Sequence, residues 1–296
     1  MLIQPDCIPC ILNMTLKAIR NLSLSAEAEQ TLFSEILKIP GLRGLDWNQT
    51  SPAIIETIMT LIAQTVHDPD PFLKEKTHLN TQALNLLPFL EKLVGESADP
   101  LYLAARIAIL GNSMDIMMPG GLSSLEKFLV EKLETTYLSR DDFDRFCRQL
   151  SKTKKILYLT DNAGEIVFDR LFIRTLKKQY DVDVVCVVRS LPTLNDATLK
   201  EAGDAGLDKV ATLVENGIDG PFPGTLLKRC SPEVRNLADE SDLIISKGGG
   251  NYDSLSEEVH ELKTPVTFML LSKCHPLNTR FDKNLHEPVM ANFFKP

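Results

Sequence analysis

Two oxygen-rich pairs, Asp161-Asn162 and Asn195-Asp196, stand just beyond successive apolar runs. Carboxylate and carboxamide oxygens suit a hard divalent cation such as Mg²⁺ or Mn²⁺ better than they suit zinc. Each pair can also be read as the cap of the helix that follows it. Lys247-Gly248-Gly249-Gly250-Asn251 follows a third apolar run, and glycines there let main-chain N–H groups approach an anion at a helix start. The loop lacks the spacing of a dinucleotide fingerprint, and its lysine precedes the glycines where a Walker lysine follows them. A phosphate loop and a plain turn both fit. Lys273, at the end of a further apolar run, adds a point charge where an anion could sit. Asn112 and Asp115 are three residues apart and share one face of a helical turn. Cys7-Ile8-Pro9-Cys10 has redox or zinc spacing, but no second such pair completes a zinc site and no strand precedes it. Pro9 suits the first turn of a helix, so an inert pair is as good a reading. His67, His78, His260 and His286 show no ligand spacing.

The elements that must position these groups change character along the chain. Apolar residues recur at helical spacing in Ile8 to Ile19, Ala28 to Leu37, Ala53 to Thr65 and Thr81 to Leu93, with another helix or two expected between Leu122 and Gln149. After Ser151 the pattern becomes β-rich runs alternating with helical stretches. Strands are expected at Ile156 to Thr160, Val182 to Arg189, around Val210 to Val214, at Leu243 to Ser246 and at Val266 to Leu271. The intervening helices fall near Gly164 to Lys178, Asp196 to Ala205, Thr225 to Ala238 and Ser254 to Leu262. The fold class is α/β: a doubly wound, mainly parallel sheet over residues 151–296, with an α-helical region over residues 1–150. In such a sheet ligands bind beyond the carboxyl ends of the strands, which is where the polar groups lie.

Composition narrows the partners. The chain has 296 residues, 44% hydrophobic and 24% charged, enough for a substantial core. With 32 Lys and Arg against 40 Asp and Glu, the net charge of −8 argues against nucleic acid as a partner. A cation and two or three lysines could still reverse the sign of one cleft. The most apolar stretch, Leu101 to Leu110, is interrupted by Arg106 and too short for a bilayer. Pro5, Asp6 and Pro9 stand where an export signal would be basic and then apolar. Six cysteines then read as reduced thiols, and a cytoplasmic protein without membrane association is expected.

Seven segments in order, DCIPC (6–10), DPFLKEK (70–76), GNSMD (111–115), DNAGEIVFD (161–169), NDAT (195–198), KGGGNYDSL (247–255) and SKC (272–274), resemble the damage-control phosphatases. These are metal-dependent enzymes long catalogued as a domain of unknown function, and the cysteine pair resembles their mainly prokaryotic branch. The resemblance implies a helical region over a Rossmann-like domain that holds one Mg²⁺, Mn²⁺, Co²⁺ or Ni²⁺ ion. It implies Asp161, Asn162 and Asp196 as metal ligands and places Lys247 and Lys273 near a substrate phosphate. Asn112, Asp115, Asn251 and Asp253 lie in matching motifs. The glycine triplet departs from relatives that carry a polar residue at its middle, and His275 to Asn278 diverges.

The expected reaction is hydrolysis of a small phosphorylated metabolite. Lys247, Lys273 and the loop N–H groups, including Gly249 and Gly250, would stabilise charge on the phosphoryl oxygens. Glu165 and Asp253 are the candidate general bases. The rivals are a nucleotide-cofactor or redox enzyme using the glycines and the cysteine pair, and a non-catalytic binder of phosphometabolites.

Overall fold

A computed structural model describes residues 1–113 and 122–294. Helices α1 (Cys7–Arg20), α2 (Ala26–Ile36) and α3 (Ser51–Val66) come first, then α4 (Leu73–Glu96), α5 (Pro100–Leu110), α6 (Leu122–Thr135) and α7 (Arg140–Leu150). Beyond them β1 (Lys155–Leu159), α8 (Glu165–Gln179), β2 (Asp183–Val188), α9 (Leu199–Asp204), β3 (Thr212–Glu215), α10 (Pro232–Glu240) and β4 (Leu243–Lys247) alternate. The chain ends with α11 (Gly248–Leu255), β5 (Val266–Leu271), α12 (His275–Phe281) and β6 (Pro288–Phe293).

The strands form one sheet in the order β3-β2-β1-β4-β5-β6. All neighbours are parallel except β5 and β6. Side chains alternate between two buried faces. Ile156, Tyr158, Leu243, Ile245, Met269 and Leu271 enter the larger apolar cluster, while Leu157, Leu159, Ile244, Phe268 and Leu270 enter a second one on the other side. Helices cover both faces, which is why these strands read as near-continuous apolar runs. The larger cluster crosses residue 150, joining α4 and α5 to α8 and the sheet, whereas α1 to α3 have a smaller core of their own.

Three elements differ from the sequence reading; the helix expected from Thr225 begins at Pro232, where Ser231 caps it. The sixth strand, β6, begins with Pro288 and lies on the sheet edge, where a missing N–H is tolerated and period-two patterning is weak. The glycines expected as a loop are instead the first turn of α11, and that helix ends at Leu255 rather than continuing to Leu262. Glycine disfavours helix by propensity. Here Asn251, whose Nδ2 donates to the carbonyls of Lys247 and Thr160, fixes the turn from outside.

The strand order reverses between β1 and β4, so the loops that leave their carboxyl ends diverge and open a crevice. The loop after β1 is fastened to the β2–α9 loop by main-chain bonds: Ala163 N–H donates to the Asn195 carbonyl at 2.8 Å, and Ala197 N–H to the Asp161 carbonyl at 2.8 Å. Asn162 and Asp196 face each other across this short antiparallel bridge. Three cations almost without exposure brace the crevice from behind: Lys76, Arg189 and Lys247.

Candidate metal and phosphate site

The main-chain bridge puts the two oxygen-rich pairs side by side. Asp161 and Asp196 are both buried, and Arg189 from the end of β2 lies against both. Its Nε donates to Asp196 Oδ2 at 2.6 Å, and its Nη2 lies 3.4 Å from Asp161 Oδ1. Its Nη1 is held by Thr225 Oγ1 at 3.1 Å and Asn251 Oδ1 at 3.0 Å. The guanidinium is therefore fixed from behind and orients the carboxylates toward the cleft.

A second network continues inward. Asn112 Nδ2 donates to Asp161 Oδ2 at 2.9 Å and to Glu165 Oε2 at 2.7 Å. Lys247 Nζ donates to Glu165 Oε1 at 2.7 Å, to Asp169 Oδ1 at 2.5 Å and to the Ala108 carbonyl at 2.9 Å. Tyr158 completes the set with a 2.7 Å bond to Asp169. Burial opposes the charge on Lys247, but Asp169 and Glu165 outweigh it and hold the ammonium well above its usual range. Asp169 in turn is pushed up to about 6, chiefly by burial against the pull of Lys247.

This connected network carries four carboxylates (Asp161, Glu165, Asp169, Asp196) against two cations (Arg189, Lys247), a deficit of two positive charges. Burial first, then repulsion from Glu165 and Asp196, drives the Asp161 carboxyl well above the usual range despite Arg189 and Lys273. Burial also raises Asp196, outweighing Arg189. One divalent cation would cancel that deficit, and the buried Asn112 Oδ1 has no partner among the described residues. Asn162 turns its Nδ2 toward Asp161 Oδ2 at 2.9 Å. To serve as an oxygen donor its carboxamide must turn over, a rotation that changes shape little. The donor set fits a hard cation by charge and element type. Among the described residues no three His, Cys, Asp or Glu side chains form a metal cluster, and carboxamide oxygens are further donors of the type a hard cation takes.

A cleft of about 710 Å³ opens over these groups. Asn112, Asp161, Asn162, Asp196, Gly249, Gly250, Asp253 and Lys273 line it, together with residues of α1 and α3. Other sequence candidates lie elsewhere. Lys247 and Glu165 are fully buried partners of each other beneath the cleft, so the lysine neutralises protein carboxylates and the glutamate faces an ammonium. The geometry does not match the expected placement of Lys247 beside a phosphate or of Glu165 as a general base. Asn251 is fully buried, with its carboxamide engaged by Arg189, Thr160 and Lys247. It positions Arg189 instead of lining the cleft. Asp115 lies outside the described residues.

The three glycines have different duties. A Cβ on Gly248 would lie 1.8 Å from Asp161 Oδ2, and its φ of 76° is strained for any side chain. A Cβ on Gly250 would meet the Pro223 carbonyl at 2.3 Å, while one on Gly249 meets nothing within 4 Å. Gly248→Ala is expected to cost about 1–3 kcal/mol from backbone strain alone and to displace the Asp161 carboxylate. Gly249→Ala should leave stability near wild type. Chemical denaturation of the two variants tests this, and equal stabilities would reject the close packing of Gly248 on Asp161.

Sequence reasoning assigned no role to Arg189, Asp169, Lys76 or Asn80. Lys76 is fully buried between Asp70 at 2.7 Å and Glu201 at 3.2 Å. Asn80 accepts from Gly164 N–H at 2.7 Å and donates to the Glu201 carbonyl at 2.9 Å, tying α4 to the loop after β1 and to α9. The available signal was placement: Arg189 closes an apolar strand, and Asp169 sits among the buried residues of α8. A charge in such a place requires a partner.

A family model described as the damage-control phosphatase ARMT1-like domain matches residues 3–289. The chain belongs to this family. It is 32% identical over 296 residues to a damage-control phosphatase of Archaeoglobus fulgidus, covering 98% of each chain. It is 31% identical over 293 residues to an uncharacterized protein of Methanocaldococcus jannaschii, covering 97% of this chain and 94% of that one. The crystal structure of a DUF89 family protein from Pyrococcus horikoshii superposes with a TM-score of 0.86 at 22% identity, covering 99% of both chains, and shows the same fold.

Proposed function

We propose that this chain is a divalent-metal-dependent phosphatase that hydrolyses phosphomonoesters of small metabolites in the cytoplasm. The observation that carries the reading is the bridge of Asn162 and Asp196, which gathers Asp161, Asn162 and Asp196 beside Lys273 in one cleft. The damage-control phosphatases among its relatives support the reaction class. Among the described residues no helix is long and apolar enough to cross a membrane.

Asp161, Asn162 and Asp196 would hold Mg²⁺, Mn²⁺, Co²⁺ or Ni²⁺, which when bound supplies Lewis-acid polarisation of phosphoryl oxygens. The protein's own groups then do the positioning. Lys273 neutralises phosphoryl charge beside the carboxylates. Gly249 and Gly250, in the first turn of α11, contribute N–H groups that have no acceptor within the helix. Asn112 and Arg189 keep Asp161 aimed into the cleft. Of the two candidate bases, Asp253 faces the cleft, and Glu165 does not.

The Asp253 carboxyl is pushed up to about 6, mainly by burial, against the pull of the N-terminal ammonium and the Ser51 hydroxyl. A base must be ionised, so turnover is expected to rise with pH through about 6 and then level. Asp253→Asn should lose this limb along with roughly a hundredfold in rate. Stability moves in the opposite sense. The folded pKa lies above the ordinary 3.8, so the native-state preference for the proton favours folding below 3.8 and is lost as pH rises through about 6. Asp253→Asn should therefore gain about 3 kcal/mol over wild type at pH 7.5 and only a small fraction of that at pH 4. A pH–rate profile that lacks an acid limb in wild type would remove Asp253 as the base.

The reaction itself is tested by phosphate release from a panel of phosphomonoesters, with Mn²⁺ or Co²⁺ and with a chelator. Release that depends on the ion is expected. Absence of release across the panel, or release indifferent to the chelator, would reject the proposal.

A further inference from the structure

The cleft is much larger than a phosphoryl group requires, and one of its walls is α1. Cys10, Asn13, Met14, Lys17, Ala18 and Asn21 line it at intervals of three and one, the stripe that one helical face presents. The stripe spans about 16 Å along the helix axis. At its near end Cys10 and Asp253 feel each other's charge, and Lys17 lies two turns further along. Much of the lining is apolar, with Met14, Ile55, Phe72, Leu194 and Pro223 in it, and Glu75 and Asn195 stand among its polar residues.

Lys17 and Lys273 are the only cationic side chains among the described residues of this lining. Neither has an ion-pair partner among the described residues. Their positions differ in kind. Lys273 follows β5, and its charge acts directly on Asp161, whereas Lys17 belongs to α1. One phosphoryl group can engage Lys273 at the carboxylates, which leaves Lys17 to face whatever the phosphoryl group is attached to.

We infer that the substrate is a phosphomonoester bearing a second anionic group, and that Lys17 is the specificity residue that receives it. This rests on the phosphatase reading above and narrows it to elongated, doubly anionic compounds. A terminal carboxylate or second phosphate would exchange water for an ammonium in a cleft whose walls are low in dielectric.

The test uses the full-length protein with Mn²⁺ and three alkyl phosphates of matched length, one ending in a methyl group, one in a carboxylate and one in a second phosphate. Wild type is expected to show a kcat/KM at least tenfold higher for one or both anion-ended compounds than for the methyl-ended one, carried by KM. Which of the two is preferred identifies the second group. Lys17→Met should reduce that ratio at least tenfold, Lys17→Arg should keep it, and raised ionic strength should shrink it. A wild-type ratio near one, or a ratio unchanged in Lys17→Met, would overturn the inference. Calorimetric binding of the corresponding phosphonates repeats the comparison without turnover. A ratio dependent on Lys17 in binding, with no hydrolysis of any compound, would reject the phosphatase reading while supporting the doubly anionic ligand.

Discussion

Asp161→Asn is expected to lower kcat/KM about a thousandfold without unfolding the protein. The substitution keeps the shape of the side chain and removes one of the two formal charges that the bridged loops offer to a cation. A Lewis-acid contribution of about 4 kcal/mol corresponds to that factor. The stability effect has the opposite sign. The Asp161 carboxyl is held above its ordinary range by burial and by Glu165 and Asp196, so an uncharged amide relieves repulsion in the folded state. The melting temperature in the absence of metal should stay level or rise while Mn²⁺ binding, followed by calorimetry, is lost. Turnover and Mn²⁺ affinity within twofold of wild type would exclude Asp161 as a ligand.

Lys247→Met should produce the largest loss of stability. Methionine fills much of the volume, yet Glu165 and Asp169 remain buried without their ammonium. Breaking a buried pair by removing one partner costs about 3–5 kcal/mol. The loss carries a pH signature. Asp169 already titrates at about 6 in the folded protein, above the ordinary 3.8, and without Lys247 it must move higher still. The folded variant then holds a proton that the unfolded chain releases above about 4. Its stability falls as pH rises, and the gap from wild type is widest above pH 7 and narrows toward pH 4. Denaturation curves at pH 4.5 and 8 read this directly. An equal deficit at both values would mean that packing, and not the uncompensated acids, sets the cost.

Much of this arrangement could be read from residues one at a time. Apolar runs ending in Asp161, Arg189, Lys247 and Ser272 mark the carboxyl ends of four parallel strands, because a strand buried on both faces has to be apolar until it leaves the sheet. The pairing of Asp161 and Asn162 with Asp196 was legible because the βα unit that separates them repeats its polar punctuation. The direction in which a charge points was not legible. Lys247 and Lys273 occupy equivalent strand ends in the sequence, but one turns inward to Asp169 and the other lines the cleft. Neighbours from α5 and α8 decide between them, and neither helix is close to β4 in sequence. The same holds for Lys76 and Asn80. Helical periodicity places them on a face of α4, but only packing shows that this face meets α9 and the start of α8. β6 escaped notice because Pro288, Ala291 and Asn292 break the alternation that an edge strand can do without.

The bridge between Asn162 and Asp196 is made of peptide groups, while the oxygens facing the cleft belong to side chains. Loop spacing and donor chemistry are thus specified by different parts of the polymer. Exchanging one donor leaves the span between the loops intact. A histidine in place of Asn162 would present a softer nitrogen on the same scaffold and shift the order of preference among divalent ions toward zinc and copper. On the metal-dependent reading proposed above, ion choice would accordingly be open to change by single substitutions, with no loop to rebuild.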